Sequence, residues 1–204
     1  MSRREHTLQN RSPLPPEYRQ LEYLESTGTQ YIKTGVSGNN TNFRIVLDIA
    51  WVDHSTWQTL GFGMSNNGLV TRIGVSGGAS STLFYTAQTS GTWVTNTCAS
   101  ADTSRHIFDL QSGSQKFDNN ELSTRTVTGW PIEFYLFAAD QYWTSGRVAT
   151  YCKCRIYSCE IYKNGVLFRN FIPALRIADS KPGLYNLVND QFYINSGTGE
   201  FLYN

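Results

Sequence analysis

The sequence has no apolar run approaching the ~20 residues of a membrane-spanning helix, and it holds no amphipathic helical stretch of normal length. These absences argue against membrane insertion and against a helical bundle. Charge is also scarce. Asp, Glu, Lys and Arg make up 16% of the 204 residues, and 17 basic against 16 acidic side chains leave +1. No bulk field therefore draws the chain to nucleic acid or to an anionic membrane surface. The three histidines, His6, His54 and His106, are scattered, and the four cysteines, Cys98, Cys152, Cys154 and Cys159, lack paired C-x-x-C spacing. On a strand Cys152 and Cys154 share a face and Cys159 takes the other. The set reads as small buried hydrophobes in reducing surroundings rather than as a metal site or a disulfide.

Catalytic signatures are missing too. No G-x-S-x-G elbow, phosphate-binding glycine loop or H-E-x-x-H helix occurs. A glycosidase needs two carboxylates about 5–9.5 Å apart, yet no acid pair at i, i+2 lies on a convincing strand. Glu22 and Glu25 point oppositely, and Asp48 and Glu160 are single acids on separate strands. The expectation is a protein that is not an enzyme.

Aromatic residues are plentiful at 14% of the chain, enough with the low charge to build a core and to exclude global disorder. Residues 1–16 read as an extended, basic, Pro-rich arm, because Pro13, Pro15 and Pro16 exclude a helix there. Its first thirteen residues are almost wholly polar and lack the apolar core of a secretory signal. They hold Arg3, Arg4 and Arg11 against Glu5, which leaves about −1 for the remainder.

From residue 17 to 204 the pattern is strands. "NFRIVLDIAWV" sets Phe43, Ile45, Leu47, Ile49 and Trp51 on one face and Arg44, Val46, Asp48, Ala50 and Val52 on the other. Asn164-Gly165 predicts a hairpin turn, and Ser112-Gly113-Ser114 a second. Many short alternating strands in one unit predict an all-β, two-sheet antiparallel sandwich. "QLEYLES", "TQYIKTGV" and the closing "DQFYINSGTGEFLYN" share a texture of strand, Gly turn and strand. The reading pairs the first strands with the last.

"LPPEYRQLEYLESTGTQYIKTGV" resembles the opening of laminin-G-like, concanavalin-like jelly-roll modules, which occur in gut-bacterial surface proteins and in bacteriophage structural proteins. "IYSCEIYKNGVLFRNFIPALRIADSKPGLYNLVNDQFYINSGTGEF" is similar to the same family's end, and "HIFDLQSGSQKFDNN" to the paired strands before it. The resemblance spans residues 14–204. It implies a jelly roll of two curved antiparallel sheets, a role in binding glycans or proteins, and for some members a structural calcium. Asp118, Asn119, Asn120 and Asp140 are the candidate calcium ligands here, although no dense run of acids accompanies them.

Two loops suit a sugar, which offers an apolar C–H face ringed by hydroxyls. "ADQYWTSGR" places Tyr142 and Trp143 beside Asp140, Gln141 and Arg147. "DHSTWQ" places Trp57 among Asp53, His54 and Gln58. Trp51, Trp93 and Trp130 have strand-like neighbours and read as core. In the arm, Arg3, Arg4 and Arg11 suit carboxylates on a partner protein. Without interleaved aromatics they are a poor footprint for nucleic acid.

With a jelly roll and no export signal, the expectation is a phage virion structural protein assembled in the host cytoplasm, such as a head decoration, fibre or tail-associated part. Its arm docks on other virion proteins, a homo-oligomer being one such arrangement, and its jelly roll faces host-surface glycans. The alternative is a carbohydrate-binding module of a bacterial surface or secreted protein, with a glycoside hydrolase ranked behind both.

Overall fold

The computed structural model describes residues 12–38, 42–65, 68–69, 72–89, 92–127, 132–141 and 147–204. In chain order the first ten strands are β1 (Tyr18–Gln20), β2 (Leu24–Glu25), β3 (Ile32–Gly38), β4 (Phe43–Trp51), β5 (Gln58–Ser65), β6 (Gly68–Leu69), β7 (Arg72–Val75), β8 (Thr82–Thr89), β9 (Thr92–Ser100) and β10 (Arg105–Gln111). The rest are β11 (Ser114–Phe117), β12 (Asn120–Ser123), β13 (Ile132–Leu136), β14 (Ala138–Gln141), β15 (Arg147–Tyr151), β16 (Cys154–Lys163), β17 (Val166–Arg176), β18 (Lys181–Asn186), β19 (Gln191–Ile194) and β20 (Leu202–Tyr203). Among the described residues there is no α-helix.

The strands form two sheets. The first runs β12-β11-β10-β4-β16-β17-β18-β19, with β1, β2 and β20 attached; the second runs β15-β14-β5-β7-β8-β9, with β3, β6 and β13 attached. Ladders are antiparallel apart from the parallel contact of β14 with β5. Alternation along β4 places Phe43, Ile45, Leu47, Ile49 and Trp51 inward, as the period-two pattern requires. They join Phe108, Ile156 and Phe171 of the first sheet and Leu60, Ile73, Leu83, Phe134 and Leu136 of the second in one continuous core. Two sheets sharing that core make an all-β sandwich.

Both expected hairpins form. Lys163 pairs with Val166 across Asn164-Gly165, whose φ angles of 52° and 76° are those of a type I′ turn. Gln111 pairs with Ser114 across Ser112-Gly113. The chain ends also close on each other. β2 pairs with β20, Ser196 N donates to Tyr31 O at 2.8 Å, and Thr198 N donates to Thr29 O at 3.1 Å. The motif-like texture of both termini thus serves a seam.

One expectation is corrected. Cys159 does not face away from Cys154; both are fully buried. The register of β16 on β4 shifts between Ile156 and Ser158, so Tyr157 is bulged out. One extra residue reverses the alternation and returns Cys159 to the core side. All four cysteines are free, and burial pushes the Cys98 thiol up to about 12 and the Cys159 thiol higher still. Of the expected arm, Ser12 to Pro16 are described, with Ser12 Oγ donating to Gln20 Oε1 at 3.3 Å. Arg3, Arg4 and Arg11 lie outside the described residues.

Candidate functional site

The loop from Asp53 to Trp57 links β4 of one sheet to β5 of the other, and several short contacts fix its shape. Asp53 Oδ1 accepts from the Ser55 amide at 2.8 Å and the Ser55 hydroxyl at 2.6 Å. Its Oδ2 accepts from Lys153 Nζ at 2.9 Å. The Ser55 hydroxyl and the Lys153 ammonium hold the Asp53 carboxyl well below the ordinary carboxylate range. Gln58 is buried, donating to Asp53 O at 2.7 Å and accepting from Lys153 N at 2.6 Å. Gly78 N donates to Ser55 O at 2.9 Å. Gly77 has φ +74°, and a Cβ there would lie 2.5 Å from the Thr56 carbonyl carbon, so only glycine lets the loops meet.

That frame lays Trp57 on the outer face of the second sheet. Ile73, Val75, Leu83 and Tyr85 point into the core; Arg72, Gly74 and Phe84, alternating with them, point outward. Phe84 is nevertheless only 1% exposed. Trp57 packs on it at 4.7 Å between ring centroids and 31° between planes. The Arg72 guanidinium lies 5.1 Å from the Trp57 ring and 5.9 Å from the Phe84 ring. Burial brings Arg72 down to about 10, so it stays charged at neutral pH. Gly74 makes room for the stack, since a Cβ there would sit 2.8 Å from Phe84 Cζ. Trp57 itself remains 46% exposed. An indole backed on one side by a ring and a cation, and open on the other, is a preformed stacking surface. The same loop lines a depression of about 470 Å³, with Asp53, His54, Ser55, Gly78 and Thr103 in its wall.

The second expected loop is not part of this site. Gln141 pairs with Met64 near the far end of β5, whereas Trp57 precedes Gln58 at its start. Six strand residues separate them, about 20 Å at ~3.3 Å per residue. Tyr142 and Trp143 lie outside the described residues; Asp140, Gln141 and Arg147 are described in backbone only, as the paired ends of β14 and β15. The calcium expectation at residues 118–120 meets a different use. Asp118 and Asn119 form the turn between β11 and β12 with positive φ, and the Asp118 carboxylate takes His106 Nδ1 at 2.7 Å and the Ile107 amide at 2.9 Å. Among the described residues no group of three His, Cys, Asp or Glu is placed to hold a metal ion. Trp51 is core as expected; the Trp93 side chain and Trp130 lie outside the described residues.

Sequence reasoning missed Arg72, Phe84 and Lys153. The signal for Phe84 was present: Phe84-Tyr85 puts two large rings on opposite faces of one strand, so one of them needs a cover outside the core. It also missed His106, which stacks on Phe117 at 4.8 Å and meets Asp102 with Nε2 at 3.1 Å as well as Asp118 with Nδ1. A nucleophilic triad needs one imidazole nitrogen free for the nucleophile; here both face carboxylates. Burial pushes the Asp102 carboxyl up, but bonds from the Ser104 amide and His106 bring it net below its usual value.

No known family model matches the chain. No curated protein is significantly similar to it in sequence.

Proposed function

We propose that this protein is a non-enzymatic binding module with a concanavalin-like jelly-roll architecture, displayed on a bacteriophage particle, and that it holds host-surface glycan by stacking a sugar ring on Trp57. The half-exposed indole, backed by Phe84 and Arg72, is the observation that carries the reading. Asp53 and His54 of the same loop, with Lys153 bonded to Asp53, supply polar groups for hydroxyls. Among the described residues, the carboxylates whose acidity is displaced, Asp53, Asp102 and Asp179, are displaced downward. A glycosidase acid needs the opposite shift, which favours binding over turnover. Attachment to the particle is assigned to the arm, through Arg3, Arg4 and Arg11 and acidic groups on neighbouring virion proteins.

A glycan array probed with the wild type and with Trp57→Ala tests the recognition. A bound glycan should lose at least about 1 kcal/mol, near fivefold in affinity, in the variant. Binding that is absent from both proteins, or unchanged by the substitution, removes the claim. For the particle, chains lacking residues 1–11 should fail to decorate it; wild-type occupancy would refute docking by the arm.

A further inference from the structure

Guanidinium groups on this protein repeatedly cover an aromatic ring and grip a carboxylate at the same time. Arg105, Arg155 and Arg176 each lie over a ring and hold the carboxylate of Asp48, Glu25 and Asp179 respectively. Arg169 begins the same unit without completing it. Its guanidinium lies 4.1 Å from the Phe168 ring, Nε donates to Thr34 O at 3.5 Å, and Nη1 donates to Phe168 O at 3.0 Å. Among the described residues its Nη2 meets no acceptor and no carboxylate pairs with it. Lys163, across the hairpin turn, has its Nζ 5.9 Å from the same ring and likewise has no described carboxylate. Acids of the adjoining strands are turned to other donors. Glu160 Oε2 accepts from Tyr162 OH at 2.6 Å, and Glu133 Oε1 from the Gly35 amide at 3.1 Å. Between the two cations in sequence stand two exposed apolar side chains, Val166, at 69%, and Phe168.

We propose that this end of the β16–β17 hairpin docks an acidic segment of another protein, which supplies the missing carboxylate to Arg169 and Lys163 and lays an apolar side chain against Val166 and Phe168. The planar guanidinium fork matches a carboxylate with two parallel hydrogen bonds. The apolar pair suits a peptide better than a sugar, whose hydroxyls would find no amide or hydroxyl among these four side chains. Two cations neutralise too few phosphates to read as a nucleic-acid footprint. The chain's own first thirteen residues hold three arginines against one glutamate, the wrong sign to fill the site. A second copy meeting it through the same surface would set these cations against themselves. A different, acidic protein is the complement that remains. Docking here is independent of what Trp57 binds.

NMR titration of the labelled full chain with the peptide acetyl-Leu-Glu-Leu-Glu-amide tests it, up to about 10 mM because so short a peptide buries little surface. The peptide should shift the Val166 and Phe168 amides and the Arg169 Nε–H signal. Its uncharged counterpart, acetyl-Leu-Gln-Leu-Gln-amide, should bind at least about tenfold more weakly, since the charge-assisted bonds are lost. Arg169→Gln and Lys163→Gln should each weaken the acidic peptide about fivefold or more. Lys163 is exposed, so Lys163→Gln should melt as the wild type does, which separates lost binding from lost folding. A galacturonate trisaccharide and phosphatidylglycerol vesicles stand for the competing partners, an acidic glycan and a lipid surface. No shift at the highest peptide concentration, equal binding of the glutamine peptide, wild-type affinity in either variant, or tighter binding to the sugar or the vesicles would each overturn the inference.

Discussion

The outer faces of the two sheets solve the same exposure problem in different ways. On the first sheet, polar groups satisfy one another. Arg44 grips Asp109 with Nε at 2.7 Å and Nη2 at 2.8 Å and lies 5.2 Å from the Tyr162 ring. Arg105 Nε donates to Asp48 at 2.6 Å, and the guanidinium covers Tyr157 at 4.0 Å. Arg155 repeats the arrangement with Glu25 at 2.6 Å and Tyr23 at 4.6 Å, and the rings of Tyr23 and Tyr157 meet edge-on at 5.7 Å. Each of these three tyrosines has a guanidinium against its ring and each of these guanidinia has a carboxylate, so this stretch of the face satisfies itself. On the second sheet the stack of Phe84, Arg72 and Trp57 ends in an open indole. A face that satisfies itself supports the fold; one that stops a layer short is available to something else.

The strongest way to break this comparison is to remove the space under the stack. Gly74→Val drives carbon into the Gln58 carbonyl oxygen and to within 2.8 Å of both Phe84 Cζ and Thr59 Cγ2. The cost should be about 1–3 kcal/mol, with the melting temperature falling by several degrees. Glycan binding should weaken further than stability alone explains, because Trp57 loses its backing. If Gly74→Val melts as the wild type does, or loses stability without losing glycan affinity beyond it, the close-packed stack is the wrong picture.

A smaller effect is expected on the first sheet. Arg105→Ala uncovers Tyr157 and leaves Asp48, 13% exposed, without its cation. Arg105 itself is 53% exposed, so water screens the pair and the loss should be about 1 kcal/mol or less. A double-mutant cycle with Asp48→Asn measures the coupling, which should shrink in high salt. Glycan affinity should not change. Lost affinity in Arg105→Ala would move the recognition surface to this sheet.

These differences explain what could be read from the sequence. β4 was legible because its alternation is strict and its inward residues are large. The terminal seam was legible because both ends carry strand and Gly-turn segments of matching texture. The bulge at Tyr157 was not, since it is set where Arg105 and Tyr23, remote in sequence, pack on that ring. Trp57 stood out as an aromatic in a polar loop. Its supports could not be foreseen without the register that sets Gly74 opposite Phe84. Nor could the parallel contact of β14 with β5, which carries the second aromatic loop to the other end of the strand. Local chemistry was visible; the sharing of surfaces between distant segments was not.

The smallest expected effect concerns how the Trp57 loop is held. The Asp53 carboxyl lies below its ordinary value of 3.8 because Ser55 and Lys153 donate to it. A depressed carboxyl favours the folded state above its unfolded value, and that contribution drains away as pH falls below 3.8 toward the folded value. Asp53→Asn cannot titrate. The variant should be less stable by about 1 kcal/mol or less at neutral pH, and the gap should close as both proteins are acidified. Denaturant unfolding at neutral pH and at successively lower pH reads that gap directly. A gap that is the same at both extremes would mean that the side chain's shape, and not its charge, holds the loop, and the acid sensitivity expected for the indole platform would then have no source at Asp53.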